Sequence, residues 1–512
     1  MRNLSIAALL TLAALAGCRR DLVCPSDERD CGGRCVAIAS DASNCGACGV
    51  ACAAGEVCGG GHCLCASGGV DCGGACVDLA SDPANCGACG AACPAAQVCT
   101  ATTGGPSACA GACALPSLTA CDRACVDLSA DARNCGACGR ACAVNERCAA
   151  GRCAADLYLA CFNTAELREA TAALEPAGVP LAVPPAPVGL AWIGPDLYVA
   201  SAASGGAETV WRAQLDLPAV RVDSILQTAV AQPDLEYLAA HDGLLYVAHT
   251  SVGTLLVVGP GGAVVDEIPL RAAAADPNPS PQGIAFDGGT AYVALNASNE
   301  VVAVNVSAEP ACAAGTQAPP CGTVTARIGV QGLATSGAQA MPSRLAVAGG
   351  RLFVTLWNLD ATFAVPAGST GRLAVVDLAG NALDPTVASG GVTGLLDLGS
   401  GCLDPADVAV NGQTLYVTCG AFDFSGTAPV IRGSGIAPVD LSGAAPKLLP
   451  VVAMSSAEAP GKLAFCGGAG YVGDRNSGTV FRFDPATQAI SGKTLCPARN
   501  GYAYVSDLAC GP

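Results

Sequence analysis

Residues 405–418 read Pro405-Ala406-Asp407-Val408-Ala409-Val410-Asn411-Gly412-Gln413-Thr414-Leu415-Tyr416-Val417-Thr418. Apolar residues recur on both sides of Asn411-Gly412, and Asn-Gly between two such runs is a tight hairpin turn. Moving outward, the opening phrase Pro-x-x-apolar-Ala returns at Pro187, Pro281, Pro342 and Pro460, with a looser copy at Glu236 to Ala239. Eleven residues after each Pro stands an aromatic: Tyr198, Tyr292, Phe353, Tyr416 and Tyr471, with Tyr246 serving the looser copy. A third strand often follows, as in Glu300 to Val306, Gly371 to Leu378 and Gly478 to Pro485. Six such units of three or four strands predict radial blades rather than a flat sheet.

The two ends supply a seventh unit. Leu157 to Leu167 has the pattern of a second strand, with Tyr158 in the place of Tyr198, but no first strand precedes it. Val505 to Cys510 has the pattern of a first strand and then stops. Joining them gives seven first strands for seven second strands, at Ala-to-Ala intervals of 45 to 63 residues. The expected fold is all-β: a seven-bladed propeller over residues 154–512, closed by the C-terminal strand 505–510, which leaves no exposed sheet edge at the seam. A short stretch at Ala165 to Ala173 is the one place with helical periodicity. The register sets Cys510 beside the strand that carries Cys161, a candidate bridge, and Cys312 with Cys321 is expected to clip the insertion Ala311 to Gly322. These phrases resemble the YVTN and NHL-type propeller repeats, and the resemblance covers nearly all of residues 156–512.

Cysteine separates the rest of the chain, since 25 of 33 Cys lie before residue 154. Apart from Cys18, they form three sets of eight, at 24–63, 65–109 and 113–153, within a segment 24–153. Each set carries the run Asn-Cys-Gly-Ala-Cys-Gly, at Asn44, Asn85 and Asn134. Units of about 40 residues cannot bury enough apolar surface alone, so an even cysteine count outside the cytoplasm reads as four disulfides per unit. The C-x-x-C pairs at Cys45, Cys86 and Cys135 have zinc-ligand or redox spacing. Zinc would leave most other cysteines unused, and His62 is the segment's only histidine. Asp41 with Asn44, Asp82 with Asn85 and Asp131 with Asn134 offer oxygens to calcium, but such residues also build turns by bonding their own backbone, which is the preferred reading. The segment resembles the NCGACG-type cysteine-rich repeats of bacterial surface lipoproteins.

At the N-terminus Arg2 precedes the apolar run Leu4 to Ala16, long enough for a signal peptide and too short to span a bilayer. It ends in Leu15-Ala16-Gly17-Cys18, which resembles the lipobox of bacterial lipoproteins. The resemblance implies a signal peptide at 1–17, diacylation of Cys18 as membrane anchor, and a linker at 18–23. Arg19, where that family's inner-membrane retention signal has Asp, implies the outer membrane or cell surface. The later apolar stretch Ala177 to Gly194 is broken by Pro180, Pro184, Pro185 and Pro187. A net charge of −17 offers no basic footprint for nucleic acid.

Catalytic motifs are scarce, and the propeller's only histidines are His241 and His249, the latter expected on the surface. Propeller sites gather at the central channel, which the first strands line. The third residue of each phrase is therefore the informative one: Gly189, Tyr237, Gly283, Arg344, Asp407, Lys462 and Asp507. Two basic and two acidic groups would ring one mouth of the channel, either as an ion-pair ring that holds the blades together or as a polar ligand site. Two functions are compatible with this. One is a cell-envelope binding or scaffolding module on a disulfide-rich stalk, with a protein, peptide or glycan as partner and no cofactor. The other is a lactonase-type hydrolase, in which calcium is possible, but Glu236 and Asp407 come from non-neighbouring blades and no matching Asn stands beside them.

Overall fold

The computed structural model describes residues 29–511 except 32–34, 40, 42, 53–55, 60–61, 66–69, 73–75, 103–104, 143–145, 150, 203–207, 216–220, 229–236, 274, 424–429 and 500–502. The signal-peptide and linker segments, Cys18, Cys24 and Glu236 lie outside the described residues. The chain divides into two compact units, Met1–Gly139 and Arg140–Pro512. This division falls before the sequence boundary at 153/154. The hairpin of Arg147–Ala149 with Arg152–Ala154 belongs to the second unit, where Arg147 is paired with Asp156 at 3.0 Å and Ala154 and Ala155 are buried.

In the first unit the middle set shows the disulfide pattern in full: Cys65–Cys76, Cys72–Cys89, Cys86–Cys99 and Cys93–Cys109. The first set repeats it with Cys31–Cys48, Cys45–Cys58 and Cys52–Cys63, and the third with Cys113–Cys125 and Cys121–Cys138. The two sulfurs of Cys86-x-x-Cys89 therefore bond to different partners. Strands are two to six residues long, and the only hydrophobic cluster described in this unit is made of Cys86, Cys93, Cys99 and Cys109. The bridges are the core, as expected of units too small for another. Asp82 accepts the N–H of Ala84 at 2.7 Å, and Asn85 accepts that of Gly90 at 2.7 Å. Gly87 and Gly90 both take φ near +75°, which explains the two glycines of the repeated run.

The second unit holds seven sheets of four or five strands among the described residues. Blade 1 runs outward from Val505–Cys510 through Leu157–Cys161 and Glu166–Ala170 to Pro176–Ala182. Blades 2 to 7 begin with inner strands Pro187–Ile193, Tyr237–His241, Pro281–Asp287, Pro342–Ala348, Pro405–Asn411 and Pro460–Cys466. Neighbouring inner strands contact one another in a closed cycle, with Val505–Cys510 between those of blades 7 and 2. The C-terminal strand pairs antiparallel with the chain's entry into the propeller, Leu157 opposite Cys510 and Leu159 opposite Leu508. This is a seven-bladed β-propeller. Ala165 to Ala173 is a correction: Glu166–Ala170 is a strand, paired on both edges, because cross-strand pairing there outweighs the helix propensity of Glu, Leu, Arg and Ala.

The blades cohere through seven apolar clusters, one at each interface, and each cluster contains one of the seven repeated aromatics. Every one of these rings packs toward the following blade. Three of the hydroxyls also reach it: Tyr198 donates to Pro260 O at 3.0 Å, Tyr292 to Asn381 Oδ1 at 2.8 Å, and Tyr471 to Ala172 O at 2.8 Å. Burying the ring and satisfying its hydroxyl in one residue explains the preference for Tyr over Phe.

All eight cysteines of residues 154–512 are bridged. Cys312–Cys321 closes the insertion, and Cys402–Cys419 lies within blade 6. Cys161 and Cys510 do not bond to each other. Cys510 stands opposite Leu157, four residues along the strand from Cys161 and hence about 13 Å away, beyond disulfide reach. Instead Cys161 bonds Cys496 and Cys510 bonds Cys466, so both bridges tie blade 1 to blade 7.

Deleting residues 505–512 from the full chain opens the ring, exposes Leu159 and removes the Cys466–Cys510 bridge. The expected loss is several kcal/mol of a usual 5–15 kcal/mol margin, read as a lower thermal midpoint and faster proteolysis. The Cys466→Ala/Cys510→Ala variant, which keeps the strand, should lose less. A truncated chain as stable as the parent would show that the strand does not close the ring.

Candidate functional site

A local device repeated in the blades aims the channel residues. The ladder between first and second strands slips just after the opening Pro in blades 2, 4, 5, 6 and 7. Proline has no N–H to donate, so the slip leaves no donor orphaned, and a bulge of this kind re-aims the next side chains. Ala186, Ser280, Met341 and Asp404, each preceding such a Pro, take φ of +46° to +55° to turn the chain into the inner strand.

The structure gathers Tyr237, Gly283, Arg344, Asp407, Lys462 and Asp507 around one cavity of about 110 Å³. Gly189 does not line it, and neither does its neighbour Leu190, whose N–H is donated to Asp507. Lys462 Nζ stands between the two carboxylates, 3.8 Å from Asp407 Oδ2 and 3.5 Å from Asp507 Oδ1. Each aspartate also latches the following blade: Asp407 Oδ2 accepts the N–H of Leu463 and Asp507 Oδ2 that of Leu190, both at 2.8 Å. These acids are buried, so the N–H donors and the lysine are what make their charge tolerable there.

Arg344 is placed differently. Its guanidinium lies 4.1 Å from the centre of the Tyr237 ring, and its side chain makes no hydrogen bond or ion pair with any described residue. Blade 4 lies between Arg344 and Tyr237, and any side chain at Gly283 would run into Ser343 O of blade 5. Burial works against the charge of Arg344, but Tyr237, Asp407 and Asp507 outweigh it and hold the proton more firmly than usual. The ring is thus an ion-pair latch in blades 6, 7 and 1, and in blade 5 a cation that feels those acids but has no carboxylate of a described residue in ion-pair contact.

Gln282 is a site residue that the third-position rule passes over. It is buried in blade 4, and its Oε1 accepts the hydroxyls of Tyr237 at 3.1 Å and Ser343 at 3.0 Å, which fixes the ring under Arg344. Its signal was a lone amide at the second position of its phrase. His249 is a correction: it ends the second strand of blade 3 and is 4 % exposed, because that strand is buried along its whole length. It does not line the cavity.

A second buried acid lies in the insertion of blade 4. Glu309 opens a short helix, Glu309–Ala313, and is fully buried. Asp266 nearby accepts the N–H groups of Cys321 at 2.8 Å and Gly322 at 2.9 Å. Burial first, and then the charge of Asp266, push Glu309 up to about 7 from 4.5. The folded chain therefore holds a proton that the unfolded chain releases at lower pH, so this contribution to stability is present in acid and lost as pH rises through about 7. Glu309→Gln should gain on the parent by about 2 kcal/mol between pH 4.5 and pH 7.5, allowing for solvent screening. Denaturant midpoints across that range test this, and a pH-independent difference would show that Glu309 is ionised in the folded chain.

Among the described residues no helix is long and apolar enough to cross a membrane, and the density of disulfides is that of an extracellular or envelope protein. The model of the Stigma-specific STIG1-like protein family matches residues 103–160. No curated protein matches the chain. Among solved structures, a protein from Lactobacillus plantarum is similar at 14 % identity and TM-score 0.47, over 70 % of this chain and 99 % of that one. The periplasmic gluconolactonase of Pseudomonas aeruginosa is similar at 17 % identity and TM-score 0.45, over 69 % and 98 %. BamB from Moraxella catarrhalis is similar at 14 % identity and TM-score 0.38, over 65 % and 86 %.

Proposed function

We propose that this protein is an exported, lipid-anchored binding module of the cell envelope. In this reading Cys18 carries the anchor, the disulfide-rich repeats follow it, and the channel mouth of the propeller holds a polar ligand from an envelope glycan, peptide or protein. The observation that carries the binding reading is the split within the ring. Three blades use their charges to latch neighbours, whereas Arg344 is set on Tyr237 where no blade interface needs it. The lactonase reading has less support: both channel carboxylates are committed to Lys462 and to backbone N–H donors of the next blade.

Two measurements test this. Cys18→Ser should shift the protein from the membrane fraction to the soluble one, or block its processing, and unchanged fractionation would remove the anchor from the proposal. The purified chain should be retained saturably on immobilised envelope polysaccharide or peptidoglycan, with retention weakened in Tyr237→Ala, while D-glucono-1,5-lactone is not hydrolysed above background with or without calcium. Lactone turnover that depends on Asp407 would replace binding with catalysis.

A further inference from the structure

We infer that the ligand group seated in the channel mouth is a singly charged carboxylate that carries a hydroxyl, as in a uronic acid, and that Arg344 is its anchor. This rests on the reading of the ring as a binding site and adds the chemistry of what it binds. The ring contains two cations and two anions, but their partners are unequal. Lys462 lies within 4 Å of both carboxylates, whereas among the described residues no carboxylate is in ion-pair contact with Arg344. A guanidinium presents five N–H donors in a planar fork that matches a carboxylate in two parallel bonds, and here none of those donors is used by a described residue.

Three features orient that fork. The Tyr237 ring lies against the guanidinium and fixes its plane. Gln282 holds the Tyr237 hydroxyl, so the platform is itself held. Gly283 lets the backbone of blade 5 at Ser343 and Arg344 pack directly against blade 4, where a Cβ would lie 2.3 Å from Ser343 O, which sets the position of the strand that carries Arg344. The anchor is therefore preorganised, and little side-chain freedom remains to be lost on binding.

The charge of the ligand follows from the neighbours. Asp407 and Asp507 line the same cavity, so a dianion such as phosphate meets twice the repulsion that a carboxylate meets. Asp407 Oδ2 and both oxygens of Asp507 accept backbone N–H groups, which leaves Asp407 Oδ1 to accept a ligand hydroxyl. At about 110 Å³ the cavity takes one carboxylate and a few further atoms, that is, one end or edge of a ligand and not a chain threaded through the channel.

Isothermal titration of the full chain with D-glucuronate, its methyl ester, D-glucose and inorganic phosphate tests the inference. Glucuronate should bind saturably, with the ester, glucose and phosphate each weaker by about tenfold or more. Arg344→Gln should bring glucuronate down to the level of glucose, and Arg344→Lys, which keeps the charge without the fork, should recover only part of the difference. Equal binding of glucuronate, ester and glucose would overturn the carboxylate while leaving the ring a binding site. Phosphate binding as tight as glucuronate would overturn the single charge. Absence of binding by all four probes, with polysaccharide retention intact and indifferent to Arg344, overturns this inference alone. Loss of that retention as well overturns the binding reading with it. The comparison of glucuronate with its ester on the parent protein stands even if the Arg344 variants fail to fold.

Discussion

The propeller depends on one seam. Each blade buries its apolar face only against the next, so seven interfaces exist only if the last blade meets the first. That meeting is made by the antiparallel pairing of Val505–Cys510 with Leu157–Cys161, strands at opposite ends of the chain. Without it the core at the blade 7 to blade 1 interface, which contains Leu157, Leu159, Tyr471, Val505 and Leu508, has no lid. Two disulfides reinforce the same seam. Cys161–Cys496 spans 335 residues of sequence, and cross-linking so long a loop removes about 5–6 kcal/mol of denatured-chain entropy in the simplest account. The Nε1–H of Trp192 adds a hydrogen bond to Cys510 O at 2.8 Å, drawing blade 2 onto the closing strand. The strongest covalent and non-covalent restraints thus coincide where a ring of repeats is most easily opened.

Away from the seam the repeat needs only one residue pattern per interface. An aromatic eleven residues after the opening Pro fills the cleft to the next blade. A short polar side chain, just past the second strand of one blade or on the closing strand, then reaches a carbonyl at the start of the following one. Thr250 donates to Pro281 O at 2.7 Å, Asn296 to Pro342 O at 3.3 Å, and Ser506 to Pro187 O. The acceptors are the carbonyls of the opening prolines. The proline therefore does two things: it removes a donor that the bulge would orphan, and it leaves an acceptor that the neighbouring blade uses. Disulfides have the corresponding role in the repeats of the first unit, where among the described residues the one apolar cluster is a set of cysteines.

This division explains what was legible in the sequence. Blade number, inner strands and closure could be read because each rests on period-2 hydrophobicity and one aromatic per unit, signals carried by residue type alone. Six of the seven channel positions were legible for the same reason, a fixed offset within the phrase that fixes the face; Gly189, with no side chain to project, is the one that does not line the cavity. What could not be read depends on position along a strand or on packing from outside it. Cys161 and Cys510 share a ladder but sit at different levels of it, and only the full register shows that Cys466 and Cys496 are the nearer partners. Glu166–Ala170 looks helical in isolation and becomes a strand because it has strands on either side. Gln282 was hidden because its contribution is to hold Tyr237 in place, and nothing about a single glutamine announces a partner 45 residues away.

The channel mouth shows how a site arises on an architecture already occupied with holding itself together. The third position of the inner strand has a structural use, since a carboxylate there accepts an N–H from the next blade, as Asp407 and Asp507 do. Two buried acids in one ring repel each other, and Lys462 between them removes that repulsion. With the latch thus balanced, the structure needs nothing more at this level, and the remaining positions are free to vary. Gly283 gives up its side chain to close packing, and Tyr237 offers a ring to the channel. Arg344 adds a charge that no blade requires and that is costly to desolvate. Its burial is offset by the Tyr237 face and by the more distant charges of Asp407 and Asp507, an arrangement that stabilises the cation while leaving its hydrogen-bonding edge open. A charge held in this way contributes little to the fold and is set apart for what enters the channel.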